Sequence, residues 1–120
     1  MKKLRARAVF LRDSLQCVRC GQRNGLAPSH VYPQGRYPRM AWEMDNIKTL
    51  CNGCHIFWWH KHPIEAADWF KEKYPDRAEK LRLMAQDTNL PKVDFVILKP
   101  VFEGLIEKYE KEYFGYNRDA

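Results

Sequence analysis

Four cysteines and a set of histidines carry the chemistry legible in this chain. The cysteines form two pairs, Cys17-Val18-Arg19-Cys20 and Cys51-Asn52-Gly53-Cys54. Each C-x-x-C places two thiolates on one turn of backbone, and two such turns complete a tetrahedral shell of four sulfurs, which suits Zn²⁺. Two copies of this spacing, in a chain where no export signal is expected, read as a zinc site and not as disulfides or a redox pair. A closed four-sulfur shell leaves no open coordination position, so this ion is expected to hold structure. Thirty residues separate Cys20 from Cys51. The ion therefore pins both ends of a long excursion, and any catalysis is expected on what it clamps.

That excursion contains His30 at the end of an expected strand, Asn46 in the turn before a second one, and His55 directly after Cys54. The segments Ser29-His30-Val31 and Asp45-Asn46-Ile47-Lys48-Thr49-Leu50-Cys51-Asn52-Gly53-Cys54-His55 together resemble the HNH endonuclease family in its ββα-metal form. Eight residues lie between Asn46 and His55, as in that family's motif. The paired C-x-x-C turns resemble its zinc-bearing branch, which includes phage NinG-like recombination endonucleases. The resemblance covers residues 17–62. It implies a small ββα catalytic unit in which His30 is the general base. Asn46 would bond backbone or the His30 ring to fix its orientation, and His55 would hold a divalent ion at the scissile phosphate.

The chemistry is consistent in its own terms. Phosphodiester hydrolysis needs an activated water, a stabiliser for developing charge and a rigid frame. A histidine near neutrality is a suitable base for the water. One residue departs from the pattern: many family members place a metal-binding Asp or His before the base, and here it is Ser29, a poor ligand for a hard dication. The ion is then held by His55 with phosphate and water, or by a second histidine. His60 lies five positions on, about 140° round an ideal α-helix and so off the His55 face. His62 returns to that face, but about 10 Å along the axis. His60 is taken as the second ligand, against the alternative of a solvated residue at a helix end. Mg²⁺ or Mn²⁺ is the expected catalytic ion, while histidine ligation also accepts Zn²⁺ or Ni²⁺.

The elements that must position these residues follow from hydrophobic spacing and punctuation. Leu4, Ala8, Leu11 and Leu15 mark a helix over residues 3–15. Leu26 to Tyr32 and Ile47 to Leu50 read as strands, joined by a loop with Pro33, Gly35 and Pro38. A helix is expected from Asn52 or Gly53 to about Lys61. Pro63 opens another through Tyr74, and Pro75 a third through Asp87. A last helix runs from Pro100 to Phe114, weakened by Gly104. Val93–Leu98 reads equally as strand or helix. The expected fold is α+β and mostly helical: residues 1–62 form an N-terminal helix plus the zinc-clamped ββα unit, and residues 63–120 a helical extension packed on it. Trp58, Trp59 and Trp69 are assigned to the core between these parts, since small domains depend on large aromatics.

The chain has 120 residues and a formal net charge of +6, concentrated at its start. Residues 1–30 carry seven basic side chains and one acidic, whereas residues 63–120 carry ten basic and twelve acidic. Positive charge gathered on one part of a chain favours a polyanion. Lys2, Lys3, Arg5, Arg7 and Arg12 on the first helix, Arg19 and Arg23 beside the first zinc turn, and Arg36 and Arg39 in the loop are the expected phosphate contacts. No apolar run approaches the ~20 residues that span a bilayer. The basic start is cut by Arg12 and Asp13 before any apolar stretch, so export is not expected. The whole reads as a cytoplasmic DNA endonuclease of a bacterial or phage-infected cell. Its subclass alternative cuts branched DNA in recombination, and its alternative from another class is a non-catalytic, zinc-dependent DNA-binding module. Cutting both strands would require a homodimer.

Overall fold

The computed structural model describes residues 1–118. Helix α1 (Lys2–Arg12) leads to strand β1 (Leu26–His30), which pairs antiparallel with β2 (Ile47–Cys51). In their register Leu26 lies opposite Cys51, Ser29 opposite Lys48 and His30 opposite Ile47. β2 runs into a π-helical turn (Cys54–Trp59), followed by α2 (Pro63–Lys73), α3 (Pro75–Gln86) and α4 (Phe95–Arg118). The fold is α+β and mostly helical, with a single two-stranded sheet among the described residues. None of the described helices is long and apolar enough to cross a membrane.

Proline sets the starts of α2 and α3. Pro63 and Pro75 each stand in the first turn, where the missing N–H has no intrahelical partner to lose. Ala66 and Phe70, one turn apart, form the buried stripe of α2. The core divides in two. One cluster gathers Cys17, Leu50, Cys51, Cys54, Trp58 and Ala66 beside the cysteine turns. The other gathers Met40, Phe70 and Leu81 between the loop, α2 and α3. Trp58, Trp59 and Trp69 pack in these clusters as expected, with Trp58 and Trp69 edge to face at 5.2 Å. Trp42 meets Phe95 at 5.0 Å and Phe102 at 6.2 Å, which ties the loop to α4.

Every residue of β2 is buried, although the sheet has only two strands. The backbone oxygens along its entry are therefore met by side chains. Arg12 donates to Met44 O at 2.7 Å and Ile47 O at 2.6 Å, and Arg77 donates to Asp45 O at 3.1 Å and Ile47 O at 3.0 Å. The Thr49 N–H donates to Asp13 Oδ2 at 2.9 Å. Buried backbone groups must be paired, and two arginines here do what a third strand would do elsewhere.

Several expected boundaries shift for identifiable reasons. α1 ends at Arg12 and not at Leu15, because Ser14 and Leu15 both adopt positive φ (62° and 53°). The Leu15 N–H returns to Phe10 O at 2.8 Å, closing the helix and turning the chain towards the first cysteine pair. β1 stops at His30, two residues early, and the Tyr32 N–H is taken by Asn46 Oδ1. The ambiguous Val93–Leu98 segment resolves largely as the start of α4, which begins at Phe95 and carries Pro100 inside it. α4 packs along α1, where Glu110 accepts from Arg7 at 3.1 Å. Residues 119 and 120 of the expected C-terminal extension lie outside the described residues.

Gly25 immediately precedes β1 with φ +61°, and its carbonyl accepts from the Asn52 N–H at 2.8 Å. An added Cβ would stand 2.9 Å from Asn52 Nδ2, the mobile end of an exposed side chain. The backbone conformation is therefore the main obstacle. Gly25→Ala is expected to lower stability by roughly 1–2 kcal/mol, the cost of a left-handed L-residue. A urea midpoint equal to wild type would refute this.

Candidate metal centre and histidine cavity

The four cysteines meet. Their sulfurs all lie within 4.8 Å of one another, and Cys20 Sγ stands 3.6 Å from Cys51 Sγ. Tetrahedral zinc with bonds of 2.3 Å requires sulfur–sulfur distances of about 3.8 Å, so the cluster can hold such an ion. Gly21 at φ +82° closes the first turn, with its N–H on Cys17 O at 2.9 Å. The Val18 N–H donates to Thr49 O at 3.0 Å and so docks the first pair on β2, beside the second. The thiols are unequal. Burial raises Cys17, but N–H groups of Cys20, Cys51 and Arg19 outweigh it and bring the group down to about 7. Burial pushes Cys54 up to about 12, opposed by the Arg19 guanidinium. Arg19 reaches Cys54 Sγ at 3.5 Å and lies over the Trp58 ring at 4.0 Å.

His30, His55 and His60 line one cavity of about 560 Å³, with Trp59 and Pro33 among its walls. His30 ends β1 and is half-buried. Its Nε2 stands 2.9 Å from Ala41 O. A carbonyl only accepts, so Nε2 carries the proton and Nδ1 keeps the lone pair. Burial holds the His30 pKa below the ordinary histidine value; Arg5 and Lys48 push the same way, and the bond to Ala41 opposes them.

Asn46 is fully buried and does its work through the backbone. Its Nδ2 donates to Tyr32 O at 3.1 Å and Met40 O at 3.0 Å, while Oδ1 accepts from the Tyr32 N–H at 2.8 Å. It thereby fastens both ends of the loop, including the residue before Ala41. Of the two partners expected for it, the backbone is the one observed.

His55 and His60 face each other with Nε2 atoms 3.0 Å apart. An ideal α-helix would separate them, but this segment is not α-helical. The His60 N–H bonds to His55 O at 3.3 Å, a π-type step from residue i+5 to i. The wider turn brings the fifth residue nearly full circle, which corrects the angular estimate made from the sequence. Burial lowers the His55 pKa, with His60, Lys48 and His30 adding to the effect.

Lys48 was not foreseen as part of this region. Its amine is completely buried, 3.1 Å from Ser29 Oγ and 3.1 Å from the centre of the Trp59 ring. Burial drives its pKa well below the lysine range, with Arg77 adding to the shift and Asp13 opposing it. The available signal was a lysine inside a short strand of Ile47, Thr49 and Leu50. Ser29 is likewise buried and turned to this amine.

The expected phosphate contacts divide. Lys2, Lys3, Arg36 and Arg39 are exposed. Arg7 is exposed but paired with Glu110, and Arg19 is exposed but laid on Cys54 and Trp58. Arg5 is a correction: it is buried, donating to Ala41 O at 3.0 Å and stacked over Trp42 at 4.3 Å. Arg12 is spent on the entry of β2. Both lie on the inward face of α1, where their long stems cover apolar surface and their heads find buried carbonyls.

No protein-family model matches this chain, and no curated protein or solved structure is significantly similar to it.

Proposed function

We propose that this chain is an HNH endonuclease of the ββα-metal form, which hydrolyses DNA phosphodiester bonds with a divalent ion. One observation carries the reading: three histidines brought from β1 and the π-turn line a single cavity, and the one at position 30 has its tautomer fixed by a backbone carbonyl. The antiparallel β1–β2 pair running directly into the π-turn supports the ββα assignment. The cysteine cluster joins the two ends of this unit.

In this reading His30 accepts the proton of the attacking water at Nδ1, while Nε2–H stays on Ala41 O. Asn46 and Arg5 are positioning residues: the first ties Met40 O and the second donates to the same Ala41 carbonyl that holds the ring. His55 and His60 would hold a divalent ion, which supplies charge stabilisation at the phosphate and the leaving oxygen. Lys2, Lys3, Arg36 and Arg39, all exposed, would neutralise backbone phosphates, a contact without sequence preference.

A plasmid-nicking assay across Mg²⁺, Mn²⁺, Zn²⁺, Ni²⁺ and EDTA tests the reading. Wild type nicks with a metal and not with EDTA; inertness with every metal overturns it. Ser29, buried against Lys48 where a ligand would serve catalysis, favours one rival, a zinc-dependent DNA-binding module without catalysis. DNA binding by an inert wild type establishes that rival.

The acidic limb of the pH–rate profile is expected below 6.5, the ordinary histidine value, because burial holds His30 neutral to lower pH. The sign for stability follows from the same shift. The unfolded chain binds the proton first as pH falls, so acidification through 6.5 weakens the fold. A limb centred above 6.5 would contradict the assignment of His30 as base.

A further inference from the structure

We propose that Lys48 is a positioning residue for the histidine cavity: its buried amine ties the strand that carries His30 to the wall that carries His60, and it does so at a cost in stability. The inference rests on the reading of this cavity as a nuclease site.

Three observations carry it. First, the amine is buried without a counter-ion. Lys48 is 0% exposed, and its amine meets one neutral hydroxyl and two aromatic rings: Ser29 Oγ at 3.1 Å, the Trp59 ring centre at 3.1 Å and the Phe70 ring centre at 6.0 Å. Asp13, whose charge favours protonation of the amine, is paired instead with Arg12 at 2.9 Å and accepts the Thr49 N–H. Taking an amine out of water without a charged partner lowers stability. A methionine, similar in size and unbranched, would fill the same space without that cost.

Second, both partners of the amine are chain neighbours of the site's histidines. Ser29 lies opposite Lys48 in the β1–β2 register and directly precedes His30. Trp59 lines the cavity and directly precedes His60. Side chains alternate along a strand, so anchoring Ser29 on one face of β1 sets how His30 leaves the other. On the Trp59 side the amine lies over the electron-rich face of the ring, which selects one orientation of that wall.

Third, Lys48 does not do what the other buried cations do. Arg5, Arg12 and Arg77 donate to backbone carbonyls. Among the described residues, the hydrogen bond of the Lys48 amine goes to Ser29 alone. The sheet therefore gains no backbone partner from it, whereas the two walls of the cavity gain a common anchor.

The experiment compares the intact chain with Lys48→Met, Ser29→Ala and the double variant, by urea unfolding and by nicking kinetics. Lys48→Met unfolds at or above the wild-type midpoint. Its kcat falls by about 100-fold, the cost of displacing a reacting group by about 1 Å, and its KM is nearly unchanged. Ser29→Ala leaves the amine without an acceptor and lowers the midpoint. Adding Lys48→Met to Ser29→Ala restores the midpoint and leaves kcat at the low value of Lys48→Met alone. A lysine that only supports the fold gives the reverse pattern, so a lowered midpoint or an unchanged kcat in Lys48→Met overturns the proposal. A second readout needs no DNA. Nitrogen-15 spectra of the imidazoles at alkaline pH show His30 as the Nε2–H tautomer in wild type, held by Ala41 O, and as an average of two tautomers in Lys48→Met. A wild type that cuts nothing but shows this change refutes the nuclease reading alone. A wild type that cuts, with a His30 tautomer indifferent to Lys48→Met, refutes this inference alone.

Discussion

Removing the ion from the cysteine cluster, or replacing Cys54 with serine, is expected to abolish cooperative unfolding at room temperature. Apparent binding free energies for structural zinc at neutral pH are about 10–16 kcal/mol, while whole domains are stable by about 5–15 kcal/mol. The geometry shows why the two quantities overlap here. Cys17, Cys51 and Cys54 are themselves core residues, packed with Leu50, Trp58 and Ala66. Without an ion, four sulfurs within 4.8 Å of one another would face proton competition or charge repulsion, and burial pushes the Cys54 thiol up to about 12. Loosening that cluster also releases the π-turn, since Cys54 begins it. Near-ultraviolet circular dichroism from Trp58 and Trp59 reports the change directly. A chelated protein that keeps this signal and a sigmoidal urea transition would show that the cluster holds no structural metal.

The paired cysteine turns were the most legible feature of the sequence because thiolate spacing is a local property. The starts of α2 and α3 were legible for the same reason, since Pro63 and Pro75 act within one helical turn. Long-range features were not readable in this way. Arg5 and Arg12 sit in a basic run that looks solvated, yet their heads bond Ala41, Met44 and Ile47, more than thirty residues away. Lys48 carried no assignment in the sequence, yet β2 is buried along its whole length and its amine lies inside. His60 was assigned to the site despite an α-helical angle that argued against it. The π-turn removes the conflict, and no residue type in Cys54–Trp59 announces that turn. Pro100 looked like a helix start and lies six residues into α4, where its missing N–H costs one bond to the preceding turn.

The arginine misplacements share a cause that bears on function. The interior of this small protein is short of strand partners, so cationic side chains serve as hydrogen-bond donors to otherwise unpaired carbonyls. Arg12 and Arg77 meet at Ile47 O, and Arg5 shares Ala41 O with His30. Part of the positive charge that points to a polyanion is consequently structural. Of the cations expected to contact phosphate, Lys2, Lys3, Arg36 and Arg39 remain exposed and outside ion pairs, fewer than the basic run suggests. A modest salt dependence of DNA binding follows, because each neutralised phosphate steepens it.

His30→Ala is expected to lower the cleavage rate by roughly 10²–10⁴-fold, the usual contribution of a positioned general base. The loss should fall on kcat and leave KM nearly unchanged, since in the proposed mechanism the ring takes a proton and anchors no substrate. The fold should survive. His30 is half-buried and its ring bonds Ala41 O at 2.9 Å, so its removal costs about 0.5–1.5 kcal/mol for the hydrogen bond. Asn46→Ala provides the contrast. It deletes three hydrogen bonds by which a buried side chain fastens the loop, so it lowers stability and rate together. Added imidazole distinguishes a missing base from a collapsed site: it should restore part of the rate of His30→Ala and none of that of Asn46→Ala. His30→Ala cutting at the wild-type rate would remove His30 from catalysis. A variant that loses rate but shows no rescue, with an unchanged acidic limb, would assign it a positioning role instead.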